Sequence, residues 1–218
     1  MKQSVLISGG GIVGTFLGIE LASRNIPFKI IEKYLPEPSE FDGIRSLTLN
    51  STTHDRLKAL GVETAPSMIQ EMRVLDGLGT GNLSFAAQEA NIDCLAAVVN
   101  FAELRNTLLQ KVSDMIIPSQ EIASFRSHQS GITAVLSDDS ELEASLLVIA
   151  EGRNSKLAEL ISPQKNQKNY HQIARTFLAQ IPGLETDQAI QIFYEREIFA
   201  LMPYNTGDTR NTFSVVWS

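Results

Sequence analysis

Apolar and polar positions at the start of the chain predict a strand, a helix and a second strand in quick succession. Ser4 to Ser8 is a short apolar, partly β-branched run, which is typical of a buried strand. A glycine-rich turn follows, and Thr15 to Asn25 predicts a helix because it is apolar over several turns. Phe28 to Ile31 predicts the second strand, which Glu32 closes.

The rest of the chain predicts two more helices and many short strands. Thr52 to Leu60 and Phe101 to Ser113 have helical spacing of apolar residues, and Leu146 to Ala150 is continuously apolar, as in a buried parallel strand. Short strands or extended segments are predicted at 44–50, 72–76, 82–85, 95–100, 116–117, 122–127, 132–136, 141–143, 173–180, 189–195, 199–202 and 212–217. Strands crowd together after residue 172, which favours a second, antiparallel sheet beside the opening βαβ unit.

The turn Gly9-Gly10-Gly11-Ile12-Val13-Gly14 has the glycine spacing of a dinucleotide-binding loop. Gly9 would allow the tight turn, Gly11 would let a pyrophosphate approach the backbone, and Gly14 would let the helix pack against the sheet. Glu32 stands about 20 residues further on, where a carboxylate accepts hydrogen bonds from ribose hydroxyls and repels a 2′-phosphate. The sequence therefore predicts FAD or NAD rather than NADP.

The opening of the chain has two alternative interpretations. A glycine-rich turn without a ligand remains an alternative, since this motif alone is weakly specific. A signal peptide would also be apolar, but four glycines, Glu20 and a single preceding lysine, Lys2, argue against it.

Composition narrows the class of protein further. The 218 residues are 43% hydrophobic and 20% charged, as in ordinary globular proteins, and no stretch of 18 apolar residues predicts a membrane span. A net charge of −7 makes nucleic acid a poor partner. Cys94 is the single cysteine, which excludes an internal disulfide and fits a reducing cytoplasm. The histidines, His54, His128 and His171, lack metal-ligand spacing, so no metal is predicted.

Four stretches together resemble the FAD-dependent aromatic hydroxylases of the para-hydroxybenzoate hydroxylase type. Within that family they look most like the ubiquinone-biosynthesis hydroxylases of polyprenylated phenols. The stretches are residues 9–14 with Glu32, 41–47 with 60–62, 147–155, and 200–204 with 214–217. The resemblance implies a mixed α/β fold, in which a Rossmann-like FAD-binding βαβ part, residues 1–71 and 101–160, adjoins an antiparallel β-sheet substrate domain, residues 72–100 and 161–218.

The resemblance also implies roles for individual residues. The FAD pyrophosphate would lie on Gly9, Gly11 and Gly14, and the adenosine ribose on Glu32. Arg45 matches an arginine that contacts the flavin, with a solvated surface arginine as the alternative. The complete set of cofactor-binding candidates is Gly9, Gly11, Gly14, Glu32, Lys33, Arg45, Arg105, Glu151 and Gly152.

Two of these candidates carry further reservations. Arg105 stands on the helix whose start faces the cofactor in the family, and a solvent-facing arginine is an equal alternative. Glu151-Gly152 falls on the family's aspartate–glycine motif, which is associated with FAD and with the nicotinamide donor. Glutamate replaces aspartate here, so the contact geometry of this loop is open; a loop carboxylate in water is the alternative.

For the complete enzyme, the resemblance implies that NADH or NADPH reduces FAD and that O2 then serves to hydroxylate a polyprenylated phenol. No catalytic residue is assigned, because the cofactor carries the difficult chemistry. The resemblance also implies a cytoplasmic location. Three further features stay open: peripheral contact with the inner face of the membrane, a homo-oligomer, and membership of a quinone-biosynthesis complex.

The family's later Gly-Asp motif has no match in these residues, so we expect an N-terminal part that ends inside the substrate sheet and binds FAD weakly or not at all. Another flavin enzyme, such as a prenyl-lipid reductase, is an alternative. A halogenase is disfavoured because Trp217 is the single tryptophan. A non-catalytic scaffold protein of a quinone-synthesis assembly is the alternative from a different class.

Overall fold

The computed structural model describes residues 4–161, 168–204 and 211–218, which form two compact units. Unit 1 comprises residues 1–38 and 105–168, and unit 2 comprises residues 39–104 and 169–218. The sequence is polar from residue 164 to residue 172, before the strands that are predicted near the end of the chain. Residues 164–167 of this stretch lie outside the described residues. Both units are discontinuous in sequence, so each is completed by chain segments that are far apart.

Four α-helices and sixteen β-strands occur in the described residues. The helices are α1 (Ile12–Ala22), α2 (Ser51–Ala59), α3 (Phe101–Lys111) and α4 (Lys156–Ile161). The first eight strands are β1 (Val5–Ser8), β2 (Phe28–Glu32), β3 (Ser46–Asn50), β4 (Ser67–Ile69), β5 (Glu71–Asp76), β6 (Asn82–Ala86), β7 (Ala96–Asn100) and β8 (Ile116–Pro118). The others are β9 (Ile122–His128), β10 (Gly131–Leu136), β11 (Glu141–Ala144), β12 (Leu146–Ile149), β13 (Arg175–Gln180), β14 (Gln188–Phe193), β15 (Ile198–Pro203) and β16 (Thr212–Trp217).

Unit 1 is built on a four-stranded parallel sheet in the order β12-β1-β2-β8. Helix α1 packs on this sheet closely enough that a Cβ on Gly18 would lie 2.8 Å from the Phe28 ring. The antiparallel sheet β11-β10-β9 adds to the unit, and Leu6, Ile31, Ala134 and Leu157 share one buried apolar cluster. The predicted Rossmann-like βαβ opening is therefore confirmed.

Unit 2 contains two further sheets. The smaller has the order β3-β7-β4, and the larger has the order β13-β16-β15-β14-β5-β6. Buried Ile69, Val98, Ala189 and Tyr204 form one apolar cluster with residues from both sheets. All pairs of the larger sheet are antiparallel except β14 with β5, so the predicted antiparallel sheet contains one parallel pair.

Two predicted elements need correction in unit 1. Helix α1 begins at Ile12 rather than Thr15, because the Thr15 N–H already bonds the Gly11 carbonyl oxygen at 3.0 Å. It ends at Ala22, and Asn25 with φ of 57° turns the chain toward β2. Strand β12 is parallel as predicted but is not fully buried: it has β1 as its single described neighbour, and Leu146 is 54% exposed.

The unit boundaries also differ from the predicted residue ranges. Residues 39–71 fall in unit 2, because β3 and β4 both pair with β7. Contacts therefore assign this stretch to the strand-rich unit, whereas the sequence pattern placed it with the glycine turn. The division of cofactor and substrate roles between the units remains a prediction.

Candidate functional site

The glycine turn has the geometry that its spacing predicts. Gly9 has φ of +106°, which favours glycine, and a Cβ there would lie 2.5 Å from the Ala150 carbonyl oxygen. A Cβ on Gly14 would overlap the Gly9 carbonyl oxygen. Gly11, in contrast, has no atom within 4 Å of its Cβ position. Gly9 and Gly14 are therefore required by the fold itself, whereas Gly11 leaves open space beside the turn.

The start of helix α1 is open to a ligand. Gly11 occupies the N-cap position and supplies no side-chain hydrogen bond, and Val13 in the first turn is 69% exposed. Uncapped N–H groups and the positive end of the helix dipole together favour an anion at such a position. The residues of the turn thus fit a pyrophosphate.

Glu32 uses both carboxylate oxygens in hydrogen bonds to the backbone. Its Oε2 accepts from the Gly10 N–H, and its Oε1 accepts from the Tyr34 N–H at 2.9 Å. These two bonds fix the carboxylate beside the glycine turn. Remaining lone pairs on the same oxygens can accept from ribose hydroxyls, since each carboxylate oxygen can take two bonds.

A cavity of about 720 Å³ adjoins both features within unit 1. It lies at the carboxyl ends of β1 and β2, where doubly wound sheets bind ligands. Its lining residues are Ser8, Gly9, Ile31, Glu32, Lys33, Tyr34, Gln120, Glu121, Ile122, Ala123, Glu151, Asn154, Lys156, Leu157, Glu159 and Leu160. The cavity brings together four of the predicted site residues: Gly9, Glu32, Lys33 and Glu151.

Lys33 makes a specific pair in the wall of this cavity. Its Nζ lies 2.9 Å from the Glu121 Oε2 and 5.2 Å from the centre of the Tyr34 ring. The hydrogen bond between Lys33 and Glu121 raises the pKa of Lys33 and lowers the pKa of Glu121. Both groups therefore stay charged at neutral pH, and Lys33 is already paired with an acid from another segment of unit 1.

Glu151 is held by two buried hydroxyl groups rather than lying free in water. The Ser8 Oγ donates to its Oε1 at 2.5 Å, and the Ser155 Oγ donates to its Oε2 at 2.7 Å. Adjacent Gly152 has φ of +81° and no atom within 4 Å of its Cβ position. Glu151 therefore has two side-chain partners within unit 1, and its contact with FAD or with a nicotinamide donor stays a prediction.

The two arginine candidates fall in different units. Arg45 belongs to unit 2, where its guanidinium stacks on the Phe101 ring, 3.7 Å from the ring centre. Arg105 belongs to unit 1, is partly buried on α3, and its Nε donates to the Asn106 Oδ1 at 3.4 Å. Contact of either residue with a flavin stays a prediction.

A buried polar group in unit 2 supports the segment that carries Arg45. The Tyr204 hydroxyl donates to the Gly43 carbonyl oxygen at 3.2 Å, and the Asn100 Nδ2 donates to the Asp42 carbonyl oxygen at 3.0 Å. Burial raises the pKa of Tyr204, which is 2% exposed. Sequence reasoning missed these contacts, because nothing in the pattern links residues 42–43 to 100 and 204.

The serines that hold Glu151 were also missed. Ser155 ends the stretch 147–155 that carries the family resemblance, and Ser8 ends the first predicted strand. The sequence pattern links neither residue to Glu151. A polar residue at the end of an otherwise apolar strand was the available signal.

A glycine turn between a parallel strand and a helix, with an acid at the end of the next strand, defines the dinucleotide-binding class of α/β folds. The chain belongs to the FAD binding domain family, whose profile matches residues 2–218. The family resemblance inferred from the sequence is confirmed by this match.

Curated relatives are similar over almost the whole chain. Aurachin C monooxygenase/isomerase of Stigmatella aurantiaca is 26% identical over 214 residues, covering 94% of this chain and 55% of that protein. Ubiquinone hydroxylase UbiL of Rhodospirillum rubrum is 26% identical over 227 residues, covering 98% of this chain and 51% of that protein. The chain thus spans about half the length of the curated relatives it matches.

Solved structures share the fold. Klebsiella pneumoniae HpxO complexed with FAD and uric acid has a TM-score of 0.75 at 19% identity, and the match covers 99% of this chain and 56% of that one. The 2,6-dihydroxypyridine-3-hydroxylase from Arthrobacter nicotinovorans has a TM-score of 0.71 at 14% identity, covering 100% and 56%. The predicted mixed α/β class with parallel and antiparallel sheets is confirmed. No helix in the described residues has the length and apolar character needed to span a bilayer.

Proposed function

We propose that this chain supplies the adenosine-diphosphate-binding part of the FAD site in a flavin-dependent monooxygenase. The observation that carries the proposal is the cavity of unit 1, in which Gly9 and Glu32 meet at the carboxyl ends of β1 and β2. Membership of the FAD binding domain family identifies the dinucleotide as FAD.

Different residues of unit 1 would bind different parts of FAD. The N-terminus of α1 would hold the pyrophosphate, with Gly11 leaving room for its oxygens. Glu32 would accept hydrogen bonds from the adenosine ribose while it keeps its bonds to Gly10 and Tyr34. FAD would supply the redox and oxygen chemistry, and the protein would supply binding, orientation and exclusion of water.

For the complete protein, we propose NADH or NADPH as the electron donor, O2 as co-substrate and an aromatic ring as the group that is hydroxylated. A polyprenylated phenol of ubiquinone biosynthesis is the finer proposal. It is supported by the resemblance of the four sequence stretches and by one relative that is named a ubiquinone hydroxylase. Contact with a membrane surface would follow from such a substrate and is part of the same proposal.

FAD titration of the purified chain, followed by its visible spectrum and flavin fluorescence, tests the cofactor proposal. We expect Glu32→Gln to weaken FAD about tenfold, because the neutral amide accepts hydrogen bonds less strongly than a carboxylate. Glu143→Gln is the matched control, since exposed Glu143 lies on β11 and does not line the cavity. Equal losses in the two variants would refute the role of Glu32.

Turnover assays test the reaction. The chain, alone and within any longer frame that encodes it, is given NADH or NADPH, O2 and a prenylated phenol, and the products are identified by mass. A gain of one oxygen atom supports hydroxylation, whereas a gain of two hydrogens in the prenyl chain would instead indicate a reductase. FAD binding without turnover by the longest frame would favour the scaffold alternative.

A further inference from the structure

The two serines bound to Glu151 belong to different elements of unit 1. Ser8 ends β1, and Ser155 immediately precedes α4. We propose that Glu151 is a positioning residue that holds the glycine turn in place for the pyrophosphate, rather than a residue that contacts the flavin or the nicotinamide donor. The inference rests on the proposed function, because the ligand in question is FAD. We call the three side chains the Ser8–Glu151–Ser155 brace.

Both carboxylate oxygens of Glu151 accept hydrogen bonds within the brace. Ser8 and Ser155 are 2% and 3% exposed, and their hydroxyls donate to separate oxygens of Glu151 at 2.5 and 2.7 Å. A buried hydroxyl that loses its acceptor pays its desolvation cost without compensation. Swinging the carboxylate toward a ligand would leave both serines in that state, so the geometry favours a fixed side chain.

The brace joins the elements that shape the turn. Ser8 is directly followed by Gly9, and the Ala150 N–H bonds the Ser8 carbonyl oxygen at 2.7 Å. The Ser8–Glu151 bond joins the same two segments through side chains, and the two segments are so close that a Cβ on Gly9 would lie 2.5 Å from the Ala150 carbonyl oxygen. Any shift of residue 151 against residue 8 would therefore move the Gly9 backbone, which begins the pyrophosphate turn.

The brace also reaches the start of α4. The Ser155 Oγ accepts from the Ala158 N–H at 3.0 Å while its proton goes to Glu151. Ser155 thus satisfies one free amide of the first helical turn and orients its own hydroxyl toward the acid. One carboxylate consequently connects the ends of β1 and β12 with the beginning of α4.

Glutamate has the length that this arrangement requires. Aspartate is shorter by one methylene group, about 1.5 Å of chain. From the same backbone position its carboxylate would be drawn back from both hydroxyls, which now donate to separate oxygens at 2.5 and 2.7 Å. In this chain, replacing Glu151 by the family's aspartate should therefore weaken cofactor binding instead of improving it.

Affinities for FAD, ADP and AMP separate positioning from direct contact. FAD and ADP both carry a pyrophosphate, whereas AMP does not, and ADP lacks the flavin half. We expect Glu151→Met to weaken FAD and ADP by the same factor, about tenfold, because a charge-assisted bond is lost, and to change AMP much less. Glu151→Asp should fall between wild type and Glu151→Met. Glu151→Gln should recover part of the loss, since an amide can accept from one serine and donate to the other.

A double-mutant cycle then tests whether Ser8 acts through Glu151. Ser8→Ala alone should weaken ADP, and it should add little in the Glu151→Met background, because the shared bond is already absent. Additive losses would overturn the brace. A loss for FAD without a loss for ADP would overturn it too, since that result means direct contact with the flavin half. Glu143→Gln serves as the control for removing one negative charge from unit 1.

Hydrogen exchange of the ligand-free protein keeps the inference separate from the proposed function. We expect faster amide exchange in Glu151→Met and in Ser8→Ala at Gly9, Gly10 and Ala150, whose N–H groups are hydrogen-bonded at this junction. Exchange in β10 should stay unchanged. Unchanged exchange at all three amides would overturn the brace whether or not FAD binds. If the wild-type protein, produced from the longest reading frame that encodes this chain, binds neither FAD nor ADP, the proposed function is instead refuted.

Discussion

At the scale of single residues, three of the four acids that line the cavity of unit 1 have different kinds of hydrogen-bond partner. Glu32 bonds two backbone amides, Glu151 bonds two buried hydroxyls, and Glu121 bonds the Lys33 ammonium. The first two are partly buried at the carboxyl ends of strands, whereas the third is an exposed ion pair. Their sensitivity to pH and salt should differ accordingly.

The Lys33–Glu121 pair should matter for stability only within a defined pH window. The lowered pKa of Glu121 means that its stabilising effect is present above the usual carboxyl range and is lost as the pH falls through its pKa in the folded protein. The raised pKa of Lys33 means that the effect is again lost as the pH rises through that value.

Thermal melting from pH 2 to pH 8 checks this expectation. Lys33→Met and Glu121→Gln should each lower the melting temperature slightly at pH 7, and the effect should vanish once the pH is low enough to protonate Glu121 in both the folded and the unfolded state. High salt should shrink the effect, because exposed pairs are screened. A difference that persists at that low pH would show that packing of the Lys33 stem, rather than charge, is responsible.

At the scale of elements, the turn from β1 into α1 separates glycines that the fold requires from one that it does not. A Cβ at position 14 would overlap the Gly9 carbonyl oxygen, a backbone atom that cannot move without disturbing the strand end. At position 11 the same atom would enter open space. Substitutions at positions 14 and 11 should therefore separate an effect on stability from an effect on FAD binding.

Gly14→Ala should lower the free energy of unfolding by roughly 3 kcal/mol, because it forces atoms into a packed junction. Gly11→Ala should change it by less than about 1 kcal/mol, the range of N-cap exchanges, and yet weaken FAD, because its methyl group would fill the space beside the turn. Denaturant unfolding and FAD titration measure the two effects. Strong destabilisation by Gly11→Ala would contradict the open space that the structure has at this position.

In unit 2, a tyrosine joins the end of β15 to the segment that precedes β3. Tyr204→Phe removes only the hydroxyl that bonds the Gly43 carbonyl oxygen and leaves the ring in the cluster with Val98 and Ala189. We expect a loss of about 0.5–1.5 kcal/mol in the free energy of unfolding, the usual net contribution of one hydrogen bond.

The same variant should accelerate amide exchange at Phe101, whose N–H bonds the Arg45 carbonyl oxygen at 3.0 Å. Phe199→Leu changes a partly buried ring that packs against buried Leu201, Phe213 and Val215, and it controls for general loosening of unit 2. If both variants accelerate Phe101 equally, the hydroxyl has no particular role in holding this segment.

At the scale of the whole molecule, each unit depends on two distant parts of the chain. The glycine turn, α1 and β2 all lie within residues 1–38, but the outer strands β8 and β12 of their sheet come from residues 105–168. A short two-stranded parallel pair has little apolar surface to bury without its neighbours. The motif should therefore be insufficient by itself.

A fragment of residues 1–104 tests that dependence. It contains every residue of the glycine motif and Glu32 but lacks β8 and β12, so we expect neither a folded parallel sheet nor FAD binding above background. Circular dichroism and FAD titration provide the measurements, and adding residues 105–218 in trans is the matched control. FAD binding by the fragment at the affinity of the whole chain would show that the outer strands are dispensable.

Local patterns were enough to predict most elements and the class of ligand. Strand β1, the glycine turn, β2 and Glu32 are contiguous, and each is specified by residue types whose physical reasons are local: apolar alternation, absent side chains and a carboxylate at a fixed spacing. Strands β5 and β6 were predicted at 72–76 and 82–85 for the same reason, since each is a short run of strand-forming residues.

Partners that are distant in sequence could not be predicted this way. The bonds from Ser8 to Glu151 and from Tyr204 to Gly43 span 143 and 161 residues, and no periodicity encodes them. The parallel pairing of β14 with β5 also depends on residues that are distant in sequence, and so does the assignment of residues 39–71 to unit 2. By itself the sequence determined the nucleotide-binding turn and its acid, because these depend on neighbours along the chain. Only the tertiary structure decided what holds Glu151 and Arg45, because those contacts exist only once remote segments have packed together.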